Sequence, residues 1–534
     1  MRSKYNHVDL IIINGNILTM DANNSVSRAV AVDQGIIVAV GDINDVLEFK
    51  SDSTLVIDLD GKTMIPGFID AHTHLDLFST MTSEYVVDCH IPPLKNVEDI
   101  IGKIKEFVDR KPEGELIIGQ GRLDQAYPTR EQLDRVAPRH PVLLKSTMHH
   151  YYLNSCALQN FNINRYNPSL EELMSTDPGS YIERDPVTGE PTGFAFDCWS
   201  YMFPGSRSPF SHEENYQAIK AGMDLMTSYG ITSIVDFSSY RESGRIYRQL
   251  FDDGELKIRL QLVPCFYGLH KTVDIDEIIN SGLTSGFGNE WIKFGGLKIL
   301  TDIDNKTICS EVQLNYWFRK AHHAGIRMFM HAMTRASQDM VLGAIEQEAK
   351  KGKEAAARVN NMRHRVEHLG NEGHDLAHLE RLKKVGAIGM PTAYFLNVGE
   401  LNLMSADTDK KFMFKTMLDM GLCVPGNSDG GGSIPECHNP FYEIWCMVNR
   451  KTIDGEVFLP DEKITPYEAL QIYTIHAAYA GKEEKIKGTI EAGKLADFAI
   501  LSDNPLTVPE DDLRHINVNM TIVNGKVVYD NNLC

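Results

Sequence analysis

The sequence lacks the features that mark secreted, disulfide-linked or membrane-spanning proteins. Its nine cysteines are odd in number and include no Cys-x-x-Cys pair, which fits reduced thiols better than a disulfide framework. The apolar run Leu10–Ile13 is far shorter than the core of a signal peptide. No apolar stretch reaches the roughly 20 residues that a membrane-spanning helix needs. We therefore expect a cytoplasmic protein.

Positive charge is also scarce. The 534 residues carry 53 Lys and Arg against 73 Asp and Glu, which gives a formal net charge of −20. Such a surface disfavours nucleic acid and anionic membranes as partners, so we expect a small-molecule substrate. Hydrophobic residues at 43% and charged residues at 24% are typical of a soluble globular chain. The length favours one large domain with at least one smaller one.

Short β-branched runs separated by Gly and Asn occupy both ends of the chain. Examples are Asp9–Met20 near the start and Leu495–Leu501 near the end. Asn524 and Gly525 stand between two further runs, which is a strong signal for a two-residue β-hairpin. We predict that residues 1–63 and 485–534 combine into one composite β-sandwich domain.

Apolar strand-like runs alternate with helical patterns through the middle of the chain. The strand-like runs are Thr232–Asp236, Lys257–Val263, Ile292–Leu300, Ile326–His331, His364–His368, Ala387–Pro391 and Leu422–Asn427. Helical stretches include Gln313–Gly325, Ser337–Lys351 and Asp375–Val385. This alternation favours a parallel α/β architecture, and a TIM-type (β/α)₈ barrel over residues 64–484 fits the size.

Two further strand-like runs exceed what eight barrel strands require. They are Glu115–Gly121 and Pro141–Ser146, and they lie in a region rich in Pro, Gly and Asp. We therefore assign residues 95–212, approximately, to an insertion after the first barrel strand. The composition predicts loops that cover the mouth of the barrel.

The apolar run Met64–Ile69 leads into two histidines one residue apart, His72 and His74. Alternate residues of a strand point to the same face, so the two imidazoles would project together and could hold one divalent cation. Taken alone, the pair is weak evidence, because ordinary polar residues also end strands.

Four more metal-binding or charged residues end later strand-like runs: Lys298, His331, His368 and Asp429. Each has an ordinary explanation, since a histidine can be a hydrogen-bonded core residue, a lysine can extend to solvent and an aspartate can form a turn. In a barrel, however, functional side chains gather at the carboxyl ends of the strands. Their order along successive strands therefore predicts one metal centre.

The order His-x-His, Lys, His, His, Asp resembles the amidohydrolase superfamily of metal-dependent hydrolases. The chain is similar in particular to the third amidohydrolase branch, which includes N-substituted formamide deformylase and the YtcJ-like proteins. Three further segments carry the resemblance, which extends over nearly the whole chain: Met148–Leu158, Asp177–Gly193 and Lys487–Phe498.

The resemblance implies roles for the strand-end residues. His72 and His74 would bind one metal, and His331 and His368 a second. Lys298 would be carboxylated and bridge the two ions. Asp429 would contact the metal, accept a proton from water and pass it to the leaving group. Imidazole and oxygen ligands suit zinc first, and also manganese or iron, with a single ion expected if Lys298 is not carboxylated.

The same resemblance places His149 in the catalytic pocket, where it would polarise a substrate carbonyl. His150 is the rival for this place, and Tyr152, beside Tyr151, is a candidate substrate contact. The chain departs from the branch after His331, where Arg335 stands near the position of a usual acid, and we expect it to bind a substrate carboxylate or enolate.

The second departure is that Asp302 is followed by Ile303 rather than by glycine. These differences leave three functions open. The leading one is hydrolysis of an amide, formamide or cyclic amide C–N bond. The same centre could instead open a cyclic diketone or lactone, or deaminate a heterocycle. A metal-free scaffold protein is the non-enzymatic alternative. A homodimer is the expectation for the family.

Overall fold

Parallel strands in the middle of the chain form two sheets in the computed structural model, which describes residues 8–303, 306–371, 375–397, 411–432 and 434–531. In spatial order, the first sheet contains Ile292–Phe294, Arg259–Leu262, Ile231–Asp236 and Phe68–Thr73. The second contains Cys265–Tyr267, Leu297–Leu300, Met328–His331, Arg365–Glu367 and Ile388–Met390. All pairs in both sheets are parallel, as the sequence predicts.

The two sheets are joined where two of the strands are interrupted. The backbone N–H of Gly295 donates to Leu262 at 2.8 Å, and that of Lys298 donates to Pro264 at 3.0 Å. Gly296 has a φ of 156°, and a Cβ there would lie 2.3 Å from the carbonyl oxygen of Arg327. The run Ile292–Leu300 is therefore two strands rather than the single strand that its apolar pattern predicts.

The segment from residue 424 to residue 430 lies beside the first strand. Backbone N–H groups of Ala71, Asp429 and His74 donate across this junction to Gly426, His72 and Gly430, at 2.9, 2.7 and 3.1 Å. The segment is not a regular strand, although the sequence predicts one over Leu422–Asn427. Its pairing nevertheless brings Asp429 next to His72.

Helices follow most of these strands and cover them. The described helices of this part are Leu75–Met81, His212–Ser228, Ser243–Asp252, Ile275–Asn280, Glu311–His323, Arg335–Ala349, Lys353–Met362, Leu376–Val385, Phe414–Asp419, Pro440–Asn449, Pro466–Gln471 and Ala477–Ala480, with a π-helical turn at Ile472–His476 and 3₁₀ turns at Ala393–Leu396, Pro435–His438 and Pro460–Glu462. Ser310, Thr334 and Asp375 cap three of them by accepting backbone N–H bonds. Strands and helices share one large apolar core.

Strands from both ends of the chain form one mixed sheet, with antiparallel and parallel pairs. In spatial order it contains Lys526–Asp530, Val518–Val523, Phe498–Leu501, Thr63–Pro66, Asn16–Leu18 and Val26–Ser27. A second sheet contains, in spatial order, Ile36–Gly41, Ala29–Asp33, Leu10–Ile13 and Leu55–Asp58. The helix Ile43–Leu47 follows the first of these strands in sequence, and a 3₁₀ turn at Glu510–His515 precedes Val518–Val523. Asn524 and Gly525 form the hairpin turn, with φ values of 54° and 72°. The exact division into 1–63 with 485–534 and 64–484 remains our proposal.

The insertion is built around a sheet rather than loops, and the loop prediction was wrong. The six strands of this sheet, in spatial order, are Tyr181–Arg184, Pro191–Phe196, His150–Leu153, Val142–Lys145, Ile117–Gln120 and Val87–Asp88, the last of which precedes the predicted insertion. Its helices are Val97–Val108, Arg130–Val136, Ser155–Asn160, Leu170–Thr176 and Trp199–Met202. Ile100, Ile117 and Val142 belong to an apolar core under this sheet. Because that core excludes water, the segment folds regularly despite its many turn-forming residues.

The structure bears on membrane-spanning helices and on disulfide bonds. Among the described residues, no helix is both long enough and apolar enough to cross a bilayer. The eight described cysteines are free thiols, and Cys534 lies outside the described residues.

Candidate metal centre and active site

Two histidines and one aspartate meet where the first strand ends. Nε2 of His72 lies 3.3 Å from Oδ1 of Asp429, and Nε2 of His74 lies 3.6 Å from the same oxygen. One ligand atom from each residue lies within 4.8 Å of the other two. Asp429 has a φ of 44°, a left-handed conformation that is uncommon for residues other than glycine. Such backbone strain is typical of functional sites.

The two later histidines lie beside this group. The rings of His331 and His368 are 4.5 Å apart between centroids, and those of His72 and His368 are 5.3 Å apart. Nδ1 of His368 is 3.8 Å from Oδ2 of Asp429. The structure therefore brings together the four histidines and the aspartate that the strand ends predict.

Lys298 lies in the same group. Its Nζ is 4.4 Å from the centre of the Phe237 ring, and that ring stacks on His72 at 3.8 Å between centroids. The side chain is buried, and burial lowers the pKa of Lys298 below its ordinary value, against the opposing charge of Glu367. A lower pKa increases the fraction of neutral amine.

The electrostatics of the group suit a cation. Burial lowers the pKa values of His72, His331 and His368 well below the ordinary value, so these imidazoles are neutral. Within the described part of the chain, Nε2 of His72 and Nδ1 of His368 are buried without a hydrogen-bond partner. Buried nitrogens without partners are costly. A divalent cation that accepts their lone pairs would remove this cost, so the residues present fit a metal ion.

Glu367 and the Phe237 backbone orient the first two histidines, and the sequence reasoning missed both. Nδ1 of His72 donates to Oε2 of Glu367 at 2.6 Å, and Nδ1 of His74 donates to the carbonyl of Phe237 at 2.8 Å. Burial opposes ionisation of Glu367, but the charge of Arg365 holds its pKa below the ordinary value. Both histidines thereby keep Nε2 available for a metal. The alternation of Arg365 and Glu367 along one strand was the available signal.

A buried carboxyl joins the first strand to the segment that carries Asp429. Asp70 accepts hydrogen bonds from the Ser428 hydroxyl at 2.6 Å, from the Ser428 backbone at 3.1 Å and from the His72 backbone at 3.1 Å. Burial raises the pKa of Asp70 to about 7. These bonds hold the backbones of His72 and Ser428 together.

The structure distinguishes the two adjacent histidines of the insertion. Nδ1 of His149 donates to Oδ1 of Asp197 at 2.7 Å, and the charge of His149 contributes to lowering the pKa of His331. The neighbour of His149, Met148, approaches the segment that carries Asp429, since a Cβ on Gly431 would lie 3.1 Å from Cε of Met148. His150 lies 3.1 Å from the Ser146 hydroxyl and packs against aromatic rings. Asp197 was missed, although it directly follows a strand of the insertion.

Two predicted substrate contacts are engaged in other interactions. Tyr152 stacks on Tyr127 with ring centroids 4.4 Å apart, and it packs on Phe194 at 5.4 Å. Arg335 pairs with the carboxylate of Asp375, which already compensates its charge. Aromatic packing and an ion pair at the surface are the contacts that these side chains make, and their substrate-binding roles stay predictions.

Comparison with known proteins gives a family. The family model described as amidohydrolase family matches residues 55–529. N-substituted formamide deformylase from Arthrobacter pascens is 29% identical, across 98% of this chain and 98% of that protein. Putative amidohydrolase YtcJ from Bacillus subtilis (strain 168) is 27% identical, across 97% of this chain and 98% of that protein.

Solved structures give the same fold. An uncharacterized metal-dependent hydrolase from Pyrococcus horikoshii OT3 superposes with a TM-score of 0.73 at 21% identity, covering 94% of this chain and 99% of the other. An adenosine deaminase from Xanthomonas campestris with bound zinc superposes with a TM-score of 0.54 at 13% identity, covering 98% of this chain and 93% of the other. With the family model matching across most of its length, the chain belongs to the amidohydrolase family and is a hydrolase of that type.

Proposed function

We propose that this protein is a metal-dependent hydrolase of a small non-peptide amide, with an N-substituted formamide as the first substrate to test and a cyclic amide as the second. The observation that carries the proposal is the convergence of His72, His74 and Asp429, with ligand atoms within 4.8 Å of one another. The similarity to N-substituted formamide deformylase, which covers both chains almost completely, supports the choice of bond.

The residues that would hold metal are those that end the strands: His72, His74, Lys298, His331, His368 and Asp429. Zinc fits this set first, and manganese or iron are alternatives. When bound, a divalent cation lowers the pKa of water towards neutrality and polarises a carbonyl. For two ions, we propose that the Lys298 amine adds carbon dioxide and releases a proton, which gives an anionic carbamate. This change replaces a charge that repels cations by one that attracts them.

Asp429 has the position of the proton carrier in this proposal. Its carboxylate would accept a proton from the attacking water as the water oxygen bonds to the carbonyl carbon. It would then give that proton to the nitrogen as the C–N bond breaks. An N-substituted formamide would yield an amine and formic acid, with one water consumed.

His149 would act on the carbonyl oxygen. Asp197 accepts from Nδ1 of His149 and so sets the orientation of the ring. Nε2 lies on the opposite side of the imidazole, and in the protonated ring it would donate a hydrogen bond to the oxygen as negative charge develops there. In this arrangement Asp197 is a positioning residue rather than a catalytic one.

We also propose that the two parallel sheets and the segment at residues 424–430 close into a (β/α)₈ barrel, with the composite terminal domain beside it. The backbone bonds from Ala71, His74 and Asp429 support closure on the side of the first strand. Closure would put all six candidate ligands at one rim, where barrels hold their active sites.

The experiment pairs metal analysis with a substrate panel. The protein, purified without chelators, would be assayed by elemental analysis and then with N-substituted formamides, cyclic amides and cyclic diketones. We expect at least one equivalent of metal per chain and release of an amine with an acid. Activity that is indifferent to chelator, in protein with less than half an equivalent of metal, would contradict the proposal. A single ring-opened keto acid as product would assign the bond to carbon–carbon cleavage instead.

A further inference from the structure

A second group of buried nitrogens lies outside the candidate metal ligands. Lys145 ends a strand of the insertion, Trp199 begins a helix, and His270 follows a strand of the second parallel sheet. Lys145 and Trp199 are fully buried, and His270 is 4% exposed. Within the described residues, Nζ of Lys145 and Nε1 of Trp199 have no hydrogen-bond partner, and the His270 ring has only a weak bond with the backbone of Ser239. Buried donors without acceptors are rare and call for an explanation.

The three side chains lie together. Nζ of Lys145 is 4.5 Å from the centre of the Trp199 ring, and the rings of Trp199 and His270 are 5.4 Å apart between centroids. Burial lowers the pKa of His270 well below its ordinary value, and the charges of Lys145, His74 and His149 lower it further. Ser239, whose backbone acts on the His270 ring, also has its hydroxyl 3.2 Å from Nδ1 of His74, so the group adjoins the metal ligand His74.

No carboxylate in the described structure neutralises Lys145 through a hydrogen bond. Asp76 is the acid whose charge acts on it. The carboxylate of Asp76, however, accepts from the backbones of Ser239 and Tyr240, each at 2.8 Å, and from the Ser243 hydroxyl at 2.6 Å. Its other oxygen accepts from the backbone of Leu77 at 2.7 Å. Asp76 is therefore already satisfied, and burial lowers the pKa of Lys145 to about 7.

Another buried lysine shows what a structural lysine looks like in this fold. Nζ of Lys487 lies 2.6 Å from Oε2 of Glu483 and donates to the Ser233 hydroxyl at 2.9 Å. Lys145 is buried at least as deeply and has neither kind of partner. Its surroundings are instead apolar and aromatic, since Trp199 belongs to the cluster that includes Tyr240, Leu269 and Leu300.

We propose that Lys145, Trp199 and His270 form a subsite for a carboxylate group beside the metal centre, so that the favoured substrates are amides that carry a free carboxylate. A carboxylate offers two oxygens, one for the ammonium that lies over the Trp199 ring and one for the indole N–H. A local cation also offsets the repulsion between an anionic substrate and a chain of net charge −20. The inference rests on the proposed hydrolase function for its substrate, but binding can be measured without turnover.

The test uses metal-loaded protein and two readouts. The first is calorimetric binding of formate and of an N-formyl amino acid to the wild-type protein, Lys145→Met and the exposed-site control Lys350→Met. The second is kcat/KM for an N-formyl amino acid relative to its neutral methyl ester. We expect Lys145→Met to weaken binding of the N-formyl amino acid at least about 30-fold, as removal of a buried charged partner does. The preference for the acid over the ester should fall by a similar factor, and Lys350→Met should change neither quantity.

Two further measurements keep the inference open to contradiction. Trp199→Phe retains the aromatic packing and removes one donor, so it should weaken carboxylate binding several-fold even if Lys145→Met fails to fold. If formate binds but the N-formyl amino acid does not, the subsite holds the acid product, and the claim about the substrate is overturned. Equal affinities in the wild-type protein and both variants would place the carboxylate on the metal and overturn the subsite. Binding that depends on Lys145 in protein that hydrolyses no amide would support the subsite and contradict only the proposed function.

Discussion

The strands of the two parallel sheets carry buried polar groups at both of their ends, but the groups differ in whether they have partners. At the amino ends, the guanidinium of Arg259 forms two hydrogen bonds to Asp497, at 2.7 and 2.9 Å. Glu483 accepts from Lys487 and from Gln261 and also pairs with Lys293. These ion pairs link the strands to the segment that leads into the strand Phe498–Leu501.

At the carboxyl ends, several equally buried nitrogens have no partner among the described residues. Examples are Nε2 of His72 and Nδ1 of His368, and Nζ of Lys145 is a further one at the carboxyl end of a strand of the insertion. Burial alone therefore does not distinguish structural from functional polar residues in this fold. Single nitrogens without partners also occur at the amino ends, on Arg327 and Arg365, but both guanidinium groups form other hydrogen bonds there. Convergence of such nitrogens on one point, as in His72 and His368, is what marks a ligand site, because unsatisfied buried groups reduce stability and persist where they hold a ligand. The comparison predicts that variants at the amino ends change folding and that variants at the carboxyl ends change activity.

The largest expected effect is at the carboxyl ends. Asp429→Asn should lower kcat/KM by at least about 10³-fold, or about 4 kcal/mol, because it removes the proposed metal ligand and proton carrier. The thermal midpoint of the metal-free protein should change little, since the carboxylate is not part of the apolar core. Kinetics and thermal unfolding check both statements, with the exposed Asp511→Asn as control. An active Asp429→Asn protein would remove Asp429 from the mechanism.

The next largest effect is at the amino ends. Arg259→Met should lower the free energy of unfolding by about 3 kcal/mol, because it leaves the buried carboxylate of Asp497 without its cation. The kcat of the folded fraction should stay within about twofold, since Arg259 lies at the opposite end of the strand from the site. Urea unfolding and kcat measure this contrast.

The matched control for Arg259 is an exposed ion pair. Lys451→Met breaks the pair with Asp511, which lies at the surface, so its unfolding midpoint should match that of the wild-type protein. If Arg259→Met lost activity without losing stability, the distinction between the two ends of the strands would be wrong.

The third effect comes from the orientation of the His149 ring rather than from metal binding. Asp197→Asn should lower kcat about 10²-fold, or about 2.7 kcal/mol, because the neutral amide no longer stabilises the protonated His149 ring that donates from Nε2. Metal content and KM should change little. The control is Asp134→Asn, which alters a carboxylate of the same insertion that holds Ser155. Equal losses of kcat in both variants would indicate general disruption of the insertion.

The smallest effect depends on pH. Burial favours the neutral acid, but the ammonium groups of Lys487 and Lys293 hold the pKa of Glu483 below its ordinary value of 4.5. Its ionised form therefore stabilises the fold above pH 4.5, and this contribution is lost as the pH falls through the lower pKa of the folded state. Glu483→Gln should cost about 2 kcal/mol at pH 7.

Urea unfolding at a series of pH values checks the sign. The difference in unfolding free energy between the wild-type protein and Glu483→Gln should shrink as the pH falls below 4.5. A difference that is constant over this range would show that the charge of Glu483 is not what stabilises the junction.

The strand ends were predictable because they follow from periodicity. His72 and His74 share a face of one strand, and His331, His368, Lys298 and Asp429 each follow an apolar run. Parallel strands put their carboxyl ends at one edge, so residues far apart in sequence were expected to meet there. Their meeting was confirmed in the geometry, whereas their roles as ligands remain proposals.

The insertion was less predictable. Its Pro, Gly and Asp residues favour turns, and local pattern does not show that strands such as Ile117–Gln120 and Val142–Lys145 pair into a sheet with a buried core. The choice between His149 and His150 also depended on partners, since Asp197 is 48 residues from His149 in sequence. Such contacts leave no local periodicity.

The sequence by itself determined the alternation of strands and helices, the pair His72 and His74, and the set of strand-end residues that resembles a two-metal hydrolase. Only the tertiary structure decided which buried groups have partners. It joined Glu367 to His72 across 295 residues, and it left Lys145 unpaired beside Trp199. The physical reason is that periodicity reports which face of an element is buried, whereas hydrogen-bond satisfaction depends on distances between elements that meet only after folding.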